Sequence, residues 1–396
     1  MVTARNPIKD KVAFAGVATT GFRRDGGDVT EGALALRACI DAVCDAGLRA
    51  QDIDGICGSQ PHPAYVQSAL GIPEVTWFAQ LDIPFAAQVM AAMNAVYSGS
   101  CDTVLAYHGV YRNAFNSRAA ANDPFRRLSP ALVAAMAGAA PMPESIAGAA
   151  GYASWASRYL HDHPKASRET FGYIALNSRA NAAHNPGAAK REPMTMDDYL
   201  SARMVRWPLC LLDMDLPVDG ADAFVITTAE RARDLAPKPV LIHAATFGAV
   251  DRNEEDQMPS LDRSGQQIAV AALRAKSDIW LDDIDVYFPY DGFTTIAVNW
   301  LESTGWCDPG EATEFIRDNW DDAGGRMLIN GSVPVNPHGG ALSEGGTQGS
   351  GHVREAILQL RGEAGERQVP GATKALVTPG GFFFNAQGMV LRTDGA

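Results

Sequence analysis

Apolar runs of strand length alternate with stretches of helical period along this chain, and the alternation restarts near residue 237. That order limits the fold more than any other feature. The run from Lys11 to Phe22 (KVAFAGVATTGF) has the pattern of a buried strand entering a glycine turn. A helical period from Leu34 to Leu48 follows, closed by Gly47. Next come a short strand at DIDGICGS, a helix at AAQVMAAMNAVYSG and a strand from Thr103 to Gly109. Such strands between helices predict βαβ units, a mainly parallel sheet and an α/β fold.

Residues 110–215 break the rhythm, with polar turns, Arg112, Arg118, Arg126 and Arg127, and an amphipathic helix near SRETFGYIALNSRANAA. They read as a large insertion or cap. A strand returns from Asp222 to Thr228, and PVLIHAATFGA (Pro239 to Ala249) then resembles the opening strand. Helices at GQQIAVAALRAK, TTIAVNWLESTGW and HVREAILQLRG alternate with strands at IDVYFPYDGF, KALVTPGGFFF and GMVLR. The expected division is therefore two similar halves, 1–236 and 237–396, with the insertion in the first.

With 396 residues and 46% hydrophobic side chains, the chain can bury a large core. Its 46 acidic and 33 basic residues give a charge of -13, which argues against a dedicated nucleic-acid binder. No apolar stretch of about 18 residues occurs, so no membrane span is expected. The Ala-rich run from Ala131 to Ala156 is interrupted by Pro141, Pro143 and Glu144. Six scattered cysteines show no C-x-x-C or zinc spacing, and no apolar leader precedes the first strand. They read as reduced thiols of a cytoplasmic protein. Neither a G-x-G-x-x-G nor a G-x-x-x-x-G-K-[ST] loop is present, nor a G-x-S-x-G elbow. His161-Asp162-His163 reads as a solvated turn rather than a metal site.

Three turns carry the functional signal. Pro289-Tyr290-Asp291-Gly292 joins a strand to a helix. The segment from Asn336 to His352 holds a run of glycines and feeds another helix. Thr378-Pro379-Gly380-Gly381 follows the strand KALV. Ligands of α/β bodies bind at such junctions, where glycine lets backbone N–H groups come close.

These residues also carry a resemblance. NPHGGALSEG…REAILQLRG is similar to the C-terminal signature of the thiolase superfamily. YDGFTTIAVNWLESTGWC and PLCLLDMDLPVDGADAFVITTAERARDL resemble its lipid-transfer, or sterol-carrier-protein-x-type, branch. The resemblance implies a duplicated thiolase fold, five-layered as α-β-α-β-α, with an inserted loop domain. It implies no covalently bound cofactor, a coenzyme A thioester as substrate and a homodimeric core. It further implies a small partner with an OB-fold and a zinc ribbon, in a heterotetramer.

The chain departs from the thiolase pattern at each chemical position. Asp82-Ile83-Pro84-Phe85 stands where a nucleophilic Cys would begin a helix. Tyr290-Asp291 replaces the family's Asn-Glu pair, Gly346 its catalytic His, and Thr378 its second Cys. These departures argue against thiolysis through an acyl-cysteine. Cysteine-free members act as retro-aldolases, cleaving β-hydroxyacyl-CoA esters that often carry a steroid skeleton. On that reading Tyr290 is the acid/base, with Asp291, His338 and His352 as neighbours that tune it. Gly380 and Gly381 supply an oxyanion hole. Gly346, where family aldolases carry a second Tyr, enlarges the pocket. Asp82 caps a helix or adds a carboxylate. Part of the four-arginine group, Arg126 and Arg127 above all, is expected to meet the CoA phosphates. Two other readings remain open: a non-catalytic acyl-CoA-binding subunit of a heteromeric enzyme, or acyl transfer without cysteine.

Overall fold

The computed structural model describes residues 6–24, 29–81, 85–112, 149–235, 237–251, 260–381 and 386–395. One hydrogen-bonded sheet holds β1 (Val12–Thr19), β2 (Gly55–Gly58), β3 (Trp77–Gln80), β4 (Thr103–Tyr111) and β5 (Asp219–Thr228). It continues through β6 (Val240–Gly248), β7 (Val286–Pro289), β8 (Lys374–Thr378) and β9 (Ala386–Thr393). The spatial order is β3-β2-β4-β5-β1-β6-β9-β8-β7.

Read outward from the centre, the two sides repeat one plan. The first strand of each side is flanked by its last, then its penultimate, then its second. Beyond β7, Val335 forms a parallel bridge to Tyr287, in the place β3 holds on the other side. Strands on each side share one direction except the last, because β5 and β9 pair antiparallel with both neighbours. The parallel pairing expected from the alternation is therefore confined to the flanks, at β2–β3, β2–β4 and β7–β8.

The helices that position the site are α1 (Glu31–Asp45), α2 (Phe85–Tyr97), α3 (Ala149–Asp162) and α4 (Arg168–Ala182). With them stand α5 (Gly265–Lys276), α6 (Thr294–Thr304) and α7 (Ser350–Arg361). α1 starts where the Thr30 hydroxyl accepts from Ala33 N, and it buries one stripe, Ala35, Ala38, Cys39, Ala42 and Val43. α7 is buried on nearly every face, as a helix between two apolar sheet surfaces must be. Val353, Ile357 and Leu360 of α7 and Phe85, Val89 and Val96 of α2 share one core with both sides of the sheet. Phe14, Val104 and Ile226 come from one side, Ile242, Phe288 and Val377 from the other. With α1 outside one side and α5 and α6 outside the other, the layers run α-β-α-β-α.

The described part of the 110–215 stretch is mainly helical rather than loop. Tyr159 of α3 and Phe171 of α4 join the core that holds Tyr287 and Trp300, so these helices pack on the second side. His161 and Asp162 end α3, with His161 Nδ1 2.9 Å from Asp162. Among the described residues no cluster of His, Cys, Asp and Glu could hold a metal. No described helix is long and apolar enough to cross a membrane. The six cysteines are free thiols, and burial pushes those of Cys57 and Cys101 up to about 12.

Candidate active site

The three turns meet at the ends of β7 and β8 and the start of α7. Asp291 accepts from Ala341 N at 2.6 Å, which ties the PYDG turn to the glycine-rich segment. Gly340 makes this possible: its φ is +58°, and a Cβ there would fall on the Asp291 carboxylate. Gly349, at φ +93°, similarly lies against the Pro379 carbonyl, so the TPGG turn closes on the same segment. Asn336 Nδ2 donates to Pro289 O at 2.8 Å and fixes the other end.

His352 lies in the first turn of α7, and its Nε2 is 3.1 Å from Asp291 Oδ1. Tyr290 packs its ring 5.6 Å from His352, and His338 stands edge-on to His352 at 4.9 Å. His338 is fully buried, and among the described residues neither ring nitrogen has a hydrogen-bond partner, Nε2 lying 3.9 Å from Glu344 Oε2. Burial, then the charges of His352, Arg354 and Arg367, hold it well below its ordinary 6.5. Behind it lies a closed ionic group. Arg354 donates to Asp222 at 2.6 Å and to Glu344 at 2.5 Å, and Glu344 also accepts from Asn185 at 2.9 Å.

Tyr290 is partly exposed, and its hydroxyl has no hydrogen-bond partner among the described residues. Burial pushes its phenol upward, Asp215 pushes it further, and Arg112 pulls it back. The neighbours expected to make Tyr290 a base do not do so. Around neutrality it is a neutral phenol, and its chemistry is that of a donor.

Arg112 and Asp215 correct the sequence reading twice. Arg112, just past β4, donates Nη1 to Asp215 Oδ2 at 2.5 Å and Nη2 to Asp215 Oδ1 at 3.0 Å. Its charge is answered within the site, so it is no part of an open basic patch. Gly346 does not enlarge the pocket either. A Cβ there would fall on Arg112 Nη1 and Asp215 Oδ2, so the pair fills that space.

On the first side, His108 of β4 stands 5.8 Å from Phe85, the first residue of α2. Its Nδ1 meets Ser59 Oγ at 3.0 Å and its Nε2 meets Gln348 Oε1 at 3.0 Å. Sequence reading missed His108, Gln348 and Asp215. A lone histidine ending an apolar strand run was the available signal. Gly380 O accepts from Trp300 Nε1 at 2.6 Å, while its N–H bonds to no described residue. Gly381 is buried beside it. Asp82, Arg118, Arg126 and Arg127 lie outside the described residues.

Residues 248–393 match the thiolase C-terminal domain-like family. Over 393 residues the chain is 34% identical to a 17-hydroxy-3-oxo-4-pregnene-20-carboxyl-CoA lyase of Mycobacterium tuberculosis, covering 94% of this chain and 97% of that one. The chain belongs to the thiolase superfamily, in its steroid side-chain-cleaving aldolase branch. A steroid side-chain-cleaving aldolase of Thermomonospora curvata is 32% identical over 388 residues, covering 93% and 94% of the two chains. The solved Ltp2-ChsH2(DUF35) aldolase superposes with a TM-score of 0.82 at 30% identity, covering 98% of this chain and 99% of that one. A monomeric SCP2-thiolase-like protein from Mycobacterium smegmatis shares the fold, with a TM-score of 0.68 at 19% identity and 99% and 78% coverage.

Among the described residues, both ring nitrogens of His338, His352 Nδ1 and Asn336 Oδ1 are buried without a hydrogen-bond partner on the Tyr290 side. Tyr290, Asp291, His338 and His352 stand in one contiguous set, as the turns led one to expect. Asp291 spends its oxygens on the backbone of the glycine-rich segment and on His352, which suits anchoring.

Proposed function

We propose that this aldolase-branch protein is an acyl-CoA carbon–carbon lyase acting by retro-aldol cleavage. Its substrate is a β-hydroxyacyl-CoA ester with a bulky acyl group, of which a steroid side chain is the leading case. The products are a ketone or aldehyde and a shorter acyl-CoA. The observation that carries the reading is Tyr290: a neutral phenol with no hydrogen-bond partner among the described residues, beside the Gly380 N–H, in a site without a cysteine nucleophile.

Retro-aldol cleavage sets two tasks beyond binding. A proton must leave the β-hydroxyl, and the Cα–Cβ electron pair must be received. The pair passes into the thioester, giving an enolate whose oxygen accepts from Gly380 N–H. A fixed N–H aimed at developing charge lowers the barrier by about 3–4 kcal/mol. Tyr290 then donates its proton to Cα. Asp291 holds the turn that aims Tyr290, and His352 steadies Asp291. His338, neutral and buried, packs behind them.

The name of the Ltp2-ChsH2(DUF35) aldolase carries a second chain. We infer for this protein a similar small partner, with an OB-fold and a zinc ribbon, joined to a homodimer of this chain. Arg126 and Arg127 are assigned to the CoA phosphates, and the chain is divided at 236/237 into two thiolase-type halves.

The test is turnover. The protein, with and without its OB-fold neighbour, is supplied with a set of β-hydroxyacyl-CoA esters, and shorter acyl-CoA is measured. Tyr290→Phe is expected to lower kcat by roughly a hundredfold or more, the usual scale of a lost general acid. Full activity in Tyr290→Phe would remove the residue from the mechanism. Acyl-CoA binding without turnover by any ester would favour the binding-subunit reading.

A further inference from the structure

The retro-aldol reading leaves the hydroxyl proton without an acceptor. His338 is enclosed, and the described oxygens of Asp291 are taken by backbone and His352. The charged groups that bear on the Tyr290 phenol are Asp215, Arg112 and Asp291. Asp215 is tied to the backbone under the phenol. The Tyr290 ring folds over Gly292, whose Cβ position its hydroxyl and ring carbons fill. Gly292 O accepts from Asp215 N at 3.0 Å. Arg112 N donates to Val218 O at 3.1 Å, which fixes the other partner's backbone.

The pair has capacity to spare. Its fork uses two of the five N–H donors of a guanidinium and two of the roughly four acceptor sites of a carboxylate. It is not sealed in: the Arg112 side chain is 36% exposed and that of Asp215 12%. Gly346 has no side chain to cover it, and any larger residue there would displace it. A cation fixed by its own carboxylate, with donors left over and open to ligand, suits an oxygen that gains charge during reaction.

We propose that Arg112 and Asp215 are catalytic residues that activate the substrate's β-hydroxyl: Asp215 takes its proton and Arg112 binds the oxygen. This rests on the retro-aldol reading, since it needs a hydroxylated ester. The step balances. Asp215 receives the hydroxyl proton, and the freed oxygen pair becomes the second bond of the departing carbonyl. The Cα–Cβ pair moves to the enolate at Gly380. Tyr290 protonates Cα, and the proton on Asp215 returns to the Tyr290 phenolate. No other reactant is required.

Two readouts separate this pair from the lyase reading. In the first, Asp215→Asn and Arg112→Ala are expected to lower kcat/KM by about a hundredfold or more on a β-hydroxyacyl-CoA. The second measures binding in the Tyr290→Phe protein, which compares the hydroxy ester with the same acyl-CoA lacking the hydroxyl. A preference of about tenfold for the hydroxy ester is expected, and Arg112→Ala should erase it. Arg112→Lys, which keeps the charge and loses the fork, serves if the alanine variant does not fold, and should also weaken the preference. Pair variants within twofold of wild type, with the preference intact, overturn the pair and leave the lyase reading standing. An Arg112-dependent preference in a protein that turns over no ester removes the lyase reading and overturns the catalytic role of the pair with it, leaving only a hydroxyl-binding subsite. Absence of any preference in the Tyr290→Phe protein overturns the pair, with or without turnover.

Discussion

At His338 the cost of the site can be measured directly. An imidazole sealed from water, beside another imidazole and two arginines, resists protonation. Its folded value lies well below the 6.5 of the unfolded chain, so below 6.5 the unfolded state binds the extra proton. Stability from this residue is complete above 6.5 and falls as pH drops through and below it. The loss should grow with each further fall in pH below 6.5. Urea unfolding of wild type and His338→Gln at a series of pH values checks the sign. The gap between them should shift toward the variant as pH falls, and a gap independent of pH would refute the argument. His338 was legible in the sequence because it follows an Asn-Pro turn in a glycine-rich run. Asp215 was not, because its partner Arg112 lies 103 positions away. Likewise His108 meets Gln348 across 240 positions, and no local pattern encodes such a pairing.

Elements were easier to read than their pairings. The opening strand, the strand from Val240 and the helix at HVREAILQLRG stand where their periodicity placed them. β3 was missed because its four residues alternate between half-buried and exposed at a sheet edge, too short for a pattern. The antiparallel centre was missed because apolar runs report burial, and burial is the same for either direction. α6 shows what an element adds to the site. Its Trp300 is fully buried, and Nε1 holds the Gly380 carbonyl at 2.6 Å, which fixes the Gly380–Gly381 peptide of the turn. Trp300→Phe keeps most of the buried ring and removes that donor. It should cost about 1–3 kcal/mol, for a buried carbonyl left unpaired. It should also lower kcat by roughly tenfold more than it raises KM, because a loosened turn binds the enolate less well than the ester. An unchanged kcat would show that the Gly380 turn is held by its own backbone.

At the scale of the whole molecule, the ladder between the two sides of the sheet is short among the described residues: Ala13–Leu241 and Phe14–Val240, extended by Asp10 N–H to Ile242 O at 3.3 Å. So short a seam cannot unite them. Two other features can. The core around α2 and α7 draws side chains from both sides, so neither side has a complete core of its own. Polar bonds also cross: Arg354 of α7 reaches Asp222 of β5, and Arg361 reaches Asp45 of α1 at 2.8 Å. Urea unfolding should therefore follow one transition, coincident by tryptophan fluorescence and far-ultraviolet circular dichroism. Arg354→Met tests the polar link. It leaves Asp222 and Glu344 buried without their cation, which should cost about 3–5 kcal/mol. Adding Asp222→Asn and Glu344→Gln removes the stranded charge and should return most of that loss. If the triple variant stays as unstable as Arg354→Met, the arginine acts by packing alone. Two separated transitions in wild type would mean that α2 and α7 belong each to one side, and that the inner layer is an interface rather than a shared core.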